Sequence, residues 1–331
     1  MENQVDELFT EHILKAGLHL FDLEESYKKL GDFENYVFEV KKQDRVYILR
    51  ATHQSHRVKE DILAELHWVN YLHSNGINVP EVFSSAKGET VEEITAGDGS
   101  HFYFCMFSKV KGNSIHVKED RFNEELFFAW GKAIGKMHKA TRAYNEAEEL
   151  KRRPSWNDDD LLAIENYIPS NEKIIVSRTK ELLQELAALP TTKEYFGLIH
   201  GDIHSGNFFF DGRDIHIFDF DDSSYHWFTS DIAIPLYYSV FYRFPNENVQ
   251  ERNDFAHGFI TAFTKGYETE TMLPPQWKEH LSYMLRLRDV TLYSVLYKKI
   301  PIEQRDERLL KMQGEIGTRI MNKEPIVSIK K

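Results

Sequence analysis

Leu198-Ile199-His200-Gly201-Asp202-Ile203-His204-Ser205-Gly206-Asn207 and, shortly after it, Ile215-His216-Ile217-Phe218-Asp219-Phe220-Asp221-Asp222 decide the reading of this chain. An apolar run leads into His-Gly-Asp. Asn207 opens Phe208-Phe209-Phe210, Asp211-Gly212 supply a turn, and Ile215, Ile217 and Phe218 form a return strand ending in Asp219. The spacing predicts a hairpin that lets Asp202, Asn207 and Asp219 converge. Phosphoryl transfer needs such a set. One carboxylate orients the attacking hydroxyl and takes its proton, while a second carboxylate and an amide oxygen hold Mg²⁺ against nucleotide phosphates. His200, Asp202 and His204 also alternate, with His216 following, and imidazoles beside a carboxylate suit zinc. A zinc hydrolase is thus a remote alternative, which leaves Asn207 and the Asp-Phe-Asp-Asp run without a role.

His-Gly-Asp, four residues, Asn, then an apolar strand ending in Asp-Phe-Asp resembles the aminoglycoside phosphotransferase and choline kinase superfamily, the small-molecule branch of the protein-kinase-like fold. In texture it is nearest to homoserine-kinase-like and stress-response-kinase-like members. The resemblance runs from about Tyr27 over nearly the whole remaining chain and is most specific between Ile199 and Ala233. It implies an α+β, two-lobed architecture: a small antiparallel-sheet lobe over 1–108 that binds nucleotide, and a larger, mainly helical lobe over 109–331 that carries catalysis and the acceptor.

The chain has 331 residues, 41% hydrophobic and 13% aromatic, which is ample for a large core. No apolar run is long enough to span a membrane. The first residues are acidic, without the basic and apolar regions of a signal peptide. Cys105 is the single cysteine, so no internal disulfide forms. A reducing cytoplasm fits, and the thiol, set among Phe102 to Phe107, reads as a packed core group. The net charge of −12 disfavours a nucleic-acid binder and is compatible with a cationic substrate.

In chain order, Val5 to Phe21 has helical spacing, and Tyr27–Leu30, Asn35–Val40 and Val46–Ala51 read as an antiparallel meander. The resemblance places the turn from Leu30 to Asn35 where a loop covers nucleotide phosphates, although it has one glycine and no Gly-x-Gly-x-x-Gly; Asn35 is its candidate ligand. Alternation sets Val46, Ile48 and Arg50 on one face. In protein kinases a Lys at this place reaches the phosphates and pairs with a helix Glu; here it is Arg, which forks onto phosphate or carboxylate. A helix from about Arg57 to Ser74 carries Glu65 at the border of its apolar stripe, the partner expected for Arg50, with Glu60 the alternative. Glu81–Ser85, Thr90–Ile94 and Phe102–Val110 complete a sheet of about five strands. Met106, Phe107 and Lys109 mark the expected hinge and adenine edge.

The larger half reads as helices: Leu126 to about Tyr144, with Gly131 and Gly135 for close packing; Asn171–Leu189; then Thr229–Phe244, Val249–Lys265, Gln276–Leu296 and Ile302–Met321. His138 reads as a structural hydrogen-bonder. The resemblance implies an Asp before an Ile-Ala pair that braces the catalytic loop from a helix start, and Asp231, before Ile232-Ala233, matches it. Tyr237, Tyr238, Tyr283, Arg286, Arg288 and Tyr293 make these helices rich in rings and cations, which in the superfamily wall the acceptor pocket.

The expected function is an ATP- and Mg²⁺-dependent phosphotransferase acting on a hydroxyl of a small molecule of the homoserine, amino alcohol, amino sugar or aminoglycoside class. Asp202 is the acceptor-orienting base, with His200 in its loop. Asn207 and Asp219 hold Mg²⁺, with Asp221 a further ligand, and Arg50, fixed by Glu65, binds phosphates. A protein serine/threonine kinase of the stress-response type and a nucleotide-binding regulator without turnover are the alternatives. The acceptor and the oligomeric state are not written in the sequence.

Overall fold

A computed structural model describes residues 3–244 and 249–329. The chain folds as two compact units. One comprises Met1–Lys111, Tyr144–Arg153 and His216–Asp221; the other comprises Gly112–Ala143, Pro154–Ile215 and Asp222–Lys331.

The first unit starts with two helices, α1 (Asn3–Leu8) and α2 (Glu11–Leu20), where the spacing suggested one. Thr10 makes the break: its hydroxyl caps α2 by accepting the Ile13 N–H. Phe9 then leaves the helix to stack on Tyr36, ring centroids 3.9 Å apart. Strands β1 (Tyr27–Gly31), β2 (Tyr36–Lys42) and β3 (Arg45–His53) form the meander, and α3 (Lys59–Ser74) follows. With β4 (Val82–Phe83), β5 (Glu92–Thr95) and β6 (His101–Ser108), the sheet has six strands in the order β1-β2-β3-β6-β4, with β5 also on β6. Every pairing is antiparallel.

Alternation along β6 divides the core of this unit. Phe102, Phe104 and Met106 pack with α2 and the meander, whereas Tyr103, Cys105 and Phe107 pack with Ile62 and Leu66 of α3. Burial pushes the Cys105 thiol up to about 12, which keeps it protonated and inert. Two returning segments seal the far end of α3. Tyr144 bonds His67 and packs on Tyr71; Phe220 meets Trp68 edge-on; Ile217 N–H donates to Asn78 O.

The second unit is mainly helical. Its α4 (Glu124–Thr141) lies along α7 (Val249–Glu268), and glycine makes the approach possible. A Cβ at Gly131 would sit 1.8 Å from Phe263 O, and one at Gly266 1.9 Å from Phe128 O. Further helices are α5 (Lys173–Ala187), α6 (Ser230–Arg243), α8 (Trp277–Lys299) and α9 (Glu307–Asn322). The last is shorter than its periodicity suggests. A 3₁₀ turn takes Ile302–Gln304, and Asp306 caps α9 by accepting the Leu309 N–H at 2.8 Å.

Strand β7 (Phe196–Ile199) leads into His200-Gly201-Asp202 and pairs antiparallel with β10 (Ser224–Trp227). This second strand has no clear sequence pattern: two of its four residues are only half buried. Between them run β8 (Phe208–Phe210) and β9 (Ile215–Ile217), joined by a turn in which Asp211 accepts the N–H groups of Arg213 and Asp214.

Candidate active site

In the second unit the loop from His200 to Asn207 is fixed from beneath. Its tight start needs Gly201, at φ +83°, where a Cβ would lie 2.4 Å from Asp222 O. Asp231, in the first turn of α6, is wholly buried. It accepts the backbone N–H of His200 on Oδ2 and that of Gly201 on Oδ1, both at 3.0 Å. His138 Nε2 lies 3.3 Å from Asp231, and its other ring nitrogen meets Tyr267 OH at 3.0 Å. Burial pushes the Asp231 carboxyl upward, but the His138 hydrogen bond and the loop's N–H groups outweigh it and hold the pKa below the usual range. His138 is the structural hydrogen-bonder the sequence suggested. The His200 ring is also buried completely, and its Nδ1 accepts the Asp202 N–H at 3.3 Å. It lies under the loop and acts by holding it.

Asp202 itself is partly open, its side chain 23% exposed. Asn207 donates through Nδ2 to Asp202 O at 2.8 Å and to Oδ2 at 3.2 Å. Because the amide nitrogen is committed there, Asn207 turns its oxygen away from Asp202. His204 Nε2 lies 3.4 Å from Oδ2, and Arg288 of α8 donates to Oδ1 at 2.8 Å. Burial raises the carboxyl, but His204 first and then Arg288 lower it further, so Asp202 is an anion at neutral pH. Arg288 also donates to Tyr238 OH at 2.8 Å. Tyr238 stacks on Tyr242, which is 51% exposed.

The zinc reading fails on this geometry. Among the described residues, one trio of His, Cys or carboxylate side chains brings its ligand atoms within 4.8 Å of one another, and it is Glu34, His56 and Asp221. His200 is engaged under the loop, and the alternation of His200, Asp202 and His204 builds no metal cage.

In the first unit Arg50 and Glu65 are both buried and form a forked pair: Nη1 to Oε1 at 2.7 Å and Nη2 to Oε2 at 2.8 Å. Glu65, not Glu60, is the partner. Burial works against the guanidinium charge, and Glu65 more than offsets it. Each terminal nitrogen keeps a second hydrogen for another acceptor. Asn35 Oδ1 accepts from Thr52 at 2.5 Å, tying the turn after β1 to β3. Met106 is buried in β6, the Arg50 guanidinium lies 5.3 Å over the Phe107 ring, and Lys109 reaches Glu39 at 2.6 Å beyond the strand end.

Asp219 has φ +67°, a left-handed backbone that costs a non-glycine residue about 1 kcal/mol or more. Asp tolerates it best among charged residues, and strain of this kind concentrates at functional positions. Two residues on, Asp221 is buried and held by basic side chains, with His56 Nε2 at 2.5 Å and Arg57 Nε at 3.4 Å. Its backbone oxygen accepts from Arg153 at 2.5 Å. Burial pushes Asp221 up, but His56 and Arg57 bring it well below the carboxylate range. Sequence reading missed His56, Arg57 and Arg153. The available signal for the first two was a basic cluster in the loop between the Arg50 strand and the Glu65 helix.

Taken singly, the Asn207 amide oxygen and the Asp219 carboxylate are hard oxygen donors of the kind Mg²⁺ prefers, and neither is a soft ligand.

The family model described as phosphotransferase enzyme family (APH) matches residues 27–270. Amicoumacin kinase of Bacillus subtilis (strain 168) is 33% identical over 299 residues, 90% of this chain and 88% of that protein. A solved structure of amicoumacin kinase hAmiN in complex with AMP-PNP, Ca²⁺ and Ami superposes with a TM-score of 0.93 at 33% identity, covering 100% of this chain and 98% of that one. A microcompartment-associated aminopropanol kinase shares the fold, with a TM-score of 0.72 at 18% identity over 95% of this chain and 94% of its own.

Proposed function

Since this chain belongs to the phosphotransferase enzyme family and is an ATP-dependent kinase of small molecules, we propose that it phosphorylates a hydroxyl of amicoumacin or a close chemical relative. The observation that carries the acceptor is the 33% identity to amicoumacin kinase, extended over 90% of the chain. It favours this acceptor over homoserine, choline and aminoglycosides.

In this reading Asp202 orients the acceptor hydroxyl and takes its proton as the γ-phosphoryl group departs. A loose transition state asks the base for placement more than for strength. That suits a carboxylate kept anionic by His204 and Arg288. His200 and Asp231 hold the loop. Arg50, fixed by Glu65, binds phosphate oxygens with its remaining N–H groups, and Asn35 steadies the turn that covers them. Asn207 and Asp219 hold Mg²⁺, which when bound offsets phosphate charge. Asp221 serves this arrangement by fixing His56 and Arg57. Met106, Phe107 and Lys109 border the adenine in this reading, and Lys109 pairs with Glu39.

The test is Mg·ATP-dependent ADP release by wild type and Asp202→Asn against amicoumacin, homoserine, choline, ethanolamine, 1-amino-2-propanol and several aminoglycosides. Amicoumacin should be turned over by wild type, and Asp202→Asn should lose ~10²-fold or more in kcat while keeping its affinity for AMP-PNP. Turnover of another compound in preference to amicoumacin sinks the acceptor. Full activity of Asp202→Asn sinks the base.

A further inference from the structure

We propose that Arg288, far from the motif in sequence, is the positioning residue of the acceptor-orienting carboxylate: it holds Asp202 in one orientation, and Tyr238 holds Arg288. The proposal rests on the role of Asp202 given above.

Asp202 sits on a loop, and a loop carboxylate is free about two side-chain torsions unless something fixes them. The contacts on Oδ2, Asn207 at 3.2 Å and His204 at 3.4 Å, are long. The bond from Arg288 Nη2 to Oδ1, at 2.8 Å, has the length of a strong charge-assisted hydrogen bond. It comes from α8, 86 residues away, so a rigid element sets the carboxylate plane.

Arg288 is fixed in turn. The same Nη2 donates to Tyr238 OH at 2.8 Å, and the guanidinium carbon lies 5.0 Å from the Tyr238 ring centroid. A terminal guanidinium nitrogen carries two hydrogens, so both bonds form at once. Tyr238 is clamped between Tyr242, stacked at 5.7 Å, and His204, edge-on at 5.4 Å. Helices α6 and α8 thus meet the catalytic loop through one cation. Lysine has hydrogens enough for both acceptors, but it is shorter and lacks the guanidinium that packs on the Tyr238 ring and fixes the donor's direction. Oδ1 accepts from Arg288 with one lone pair and keeps the other, so the clamp leaves the carboxylate able to accept the hydroxyl proton.

A misplacement of about 1 Å at a reacting group costs ~10²-fold in rate. Arg288→Met should therefore lower kcat by ~30- to 300-fold with amicoumacin and leave the KM for ATP within about threefold. Arg288→Lys should restore part of the loss, and Tyr238→Phe should lose ~3- to 10-fold. Retention of more than a third of wild-type kcat in Arg288→Met overturns the proposal, as does a loss confined to the KM for ATP. If Arg288→Met does not fold, Arg288→Lys and Tyr238→Phe carry the same test. Crystal structures of wild type and Arg288→Lys with Mg·AMP-PNP read the clamp without any acceptor. Asp202 should hold one orientation in wild type and move or split in the variant, and an unmoved Asp202 overturns the proposal. An active Asp202→Asn would instead remove the reading on which it rests.

Discussion

Asp231 Oδ2 accepts the backbone N–H of His200 at 3.0 Å, and its second oxygen does the same for Gly201. One buried carboxylate on a helix thereby satisfies two donors of a loop that could not satisfy them itself. Asp231→Asn keeps the shape but turns an NH₂ toward one of those donors. A lost hydrogen bond with a stranded buried donor costs about 1–3 kcal/mol. The variant should unfold at lower denaturant by that amount and lose kcat more than it loses ATP affinity. Chemical denaturation and steady-state kinetics check both; an unchanged midpoint would show that the loop holds itself.

The Arg50–Glu65 pair gives a second expectation. Both groups are buried, so removing one charge strands the other. Breaking such a pair costs about 3–5 kcal/mol. Glu65→Gln should lower stability toward that range and raise the KM for ATP roughly tenfold, as Arg50 loses its fixed place. Calorimetry and ATP titration separate the two effects. A stable variant with weak ATP binding would mean that Glu65 serves Arg50 alone and not the fold.

His226, in β10, sets a pH dependence. It is buried, its Nδ1 accepts the Trp227 N–H, and burial lowers its pKa from 6.5 to about 4. The unfolded chain takes up a proton below 6.5 that the folded chain refuses until about 4. Stability therefore rises with pH through this window and is lost as pH falls from 6.5 toward 4, by at most about 3 kcal/mol. Buried His138, also lowered by burial, adds in the same sense. His226→Asn should flatten part of the decline in midpoint between pH 7 and 4.5. Parallel curves for wild type and variant would remove His226 from the account.

The parts of the site legible in the sequence are those whose geometry is local. Asp202 and Asn207 lie five residues apart in one loop, and strand alternation plus helical spacing paired Arg50 with Glu65 across 15 residues. Asp231 was legible through the family resemblance, which places an Asp before an Ile-Ala pair at this helix start. Arg288 and His56 were not: they reach Asp202 and Asp221 across 86 and 165 residues, and no periodicity encodes which distant helix faces a loop. Arg288 showed only as one cation on a ring-rich helix. The same limit explains β10, a short polar strand defined by its pairing with β7 and not by its own pattern. The break at Thr10, by contrast, was present as a capping residue and was outweighed by the longer apolar stripe.

Asp219 offers the sharpest separation of fold from function. Its left-handed backbone, φ +67°, is one that glycine adopts freely, asparagine tolerates and alanine resists. Asp219→Gly relieves about 1 kcal/mol of strain and loosens the unfolded chain by a similar amount, so its stability should stay within about 0.5 kcal/mol of wild type. Asp219→Asn should be near neutral, and Asp219→Ala should lose about 1 kcal/mol. None of the three keeps the carboxylate. If Asp219 holds the metal, all three should lose turnover by ~10²-fold or more, whatever their stability, and Asn, which retains an oxygen donor, should be the variant most improved by raising Mg²⁺. Activity that follows the stability order instead would make the strained backbone, and not the carboxylate, the feature that matters at this position.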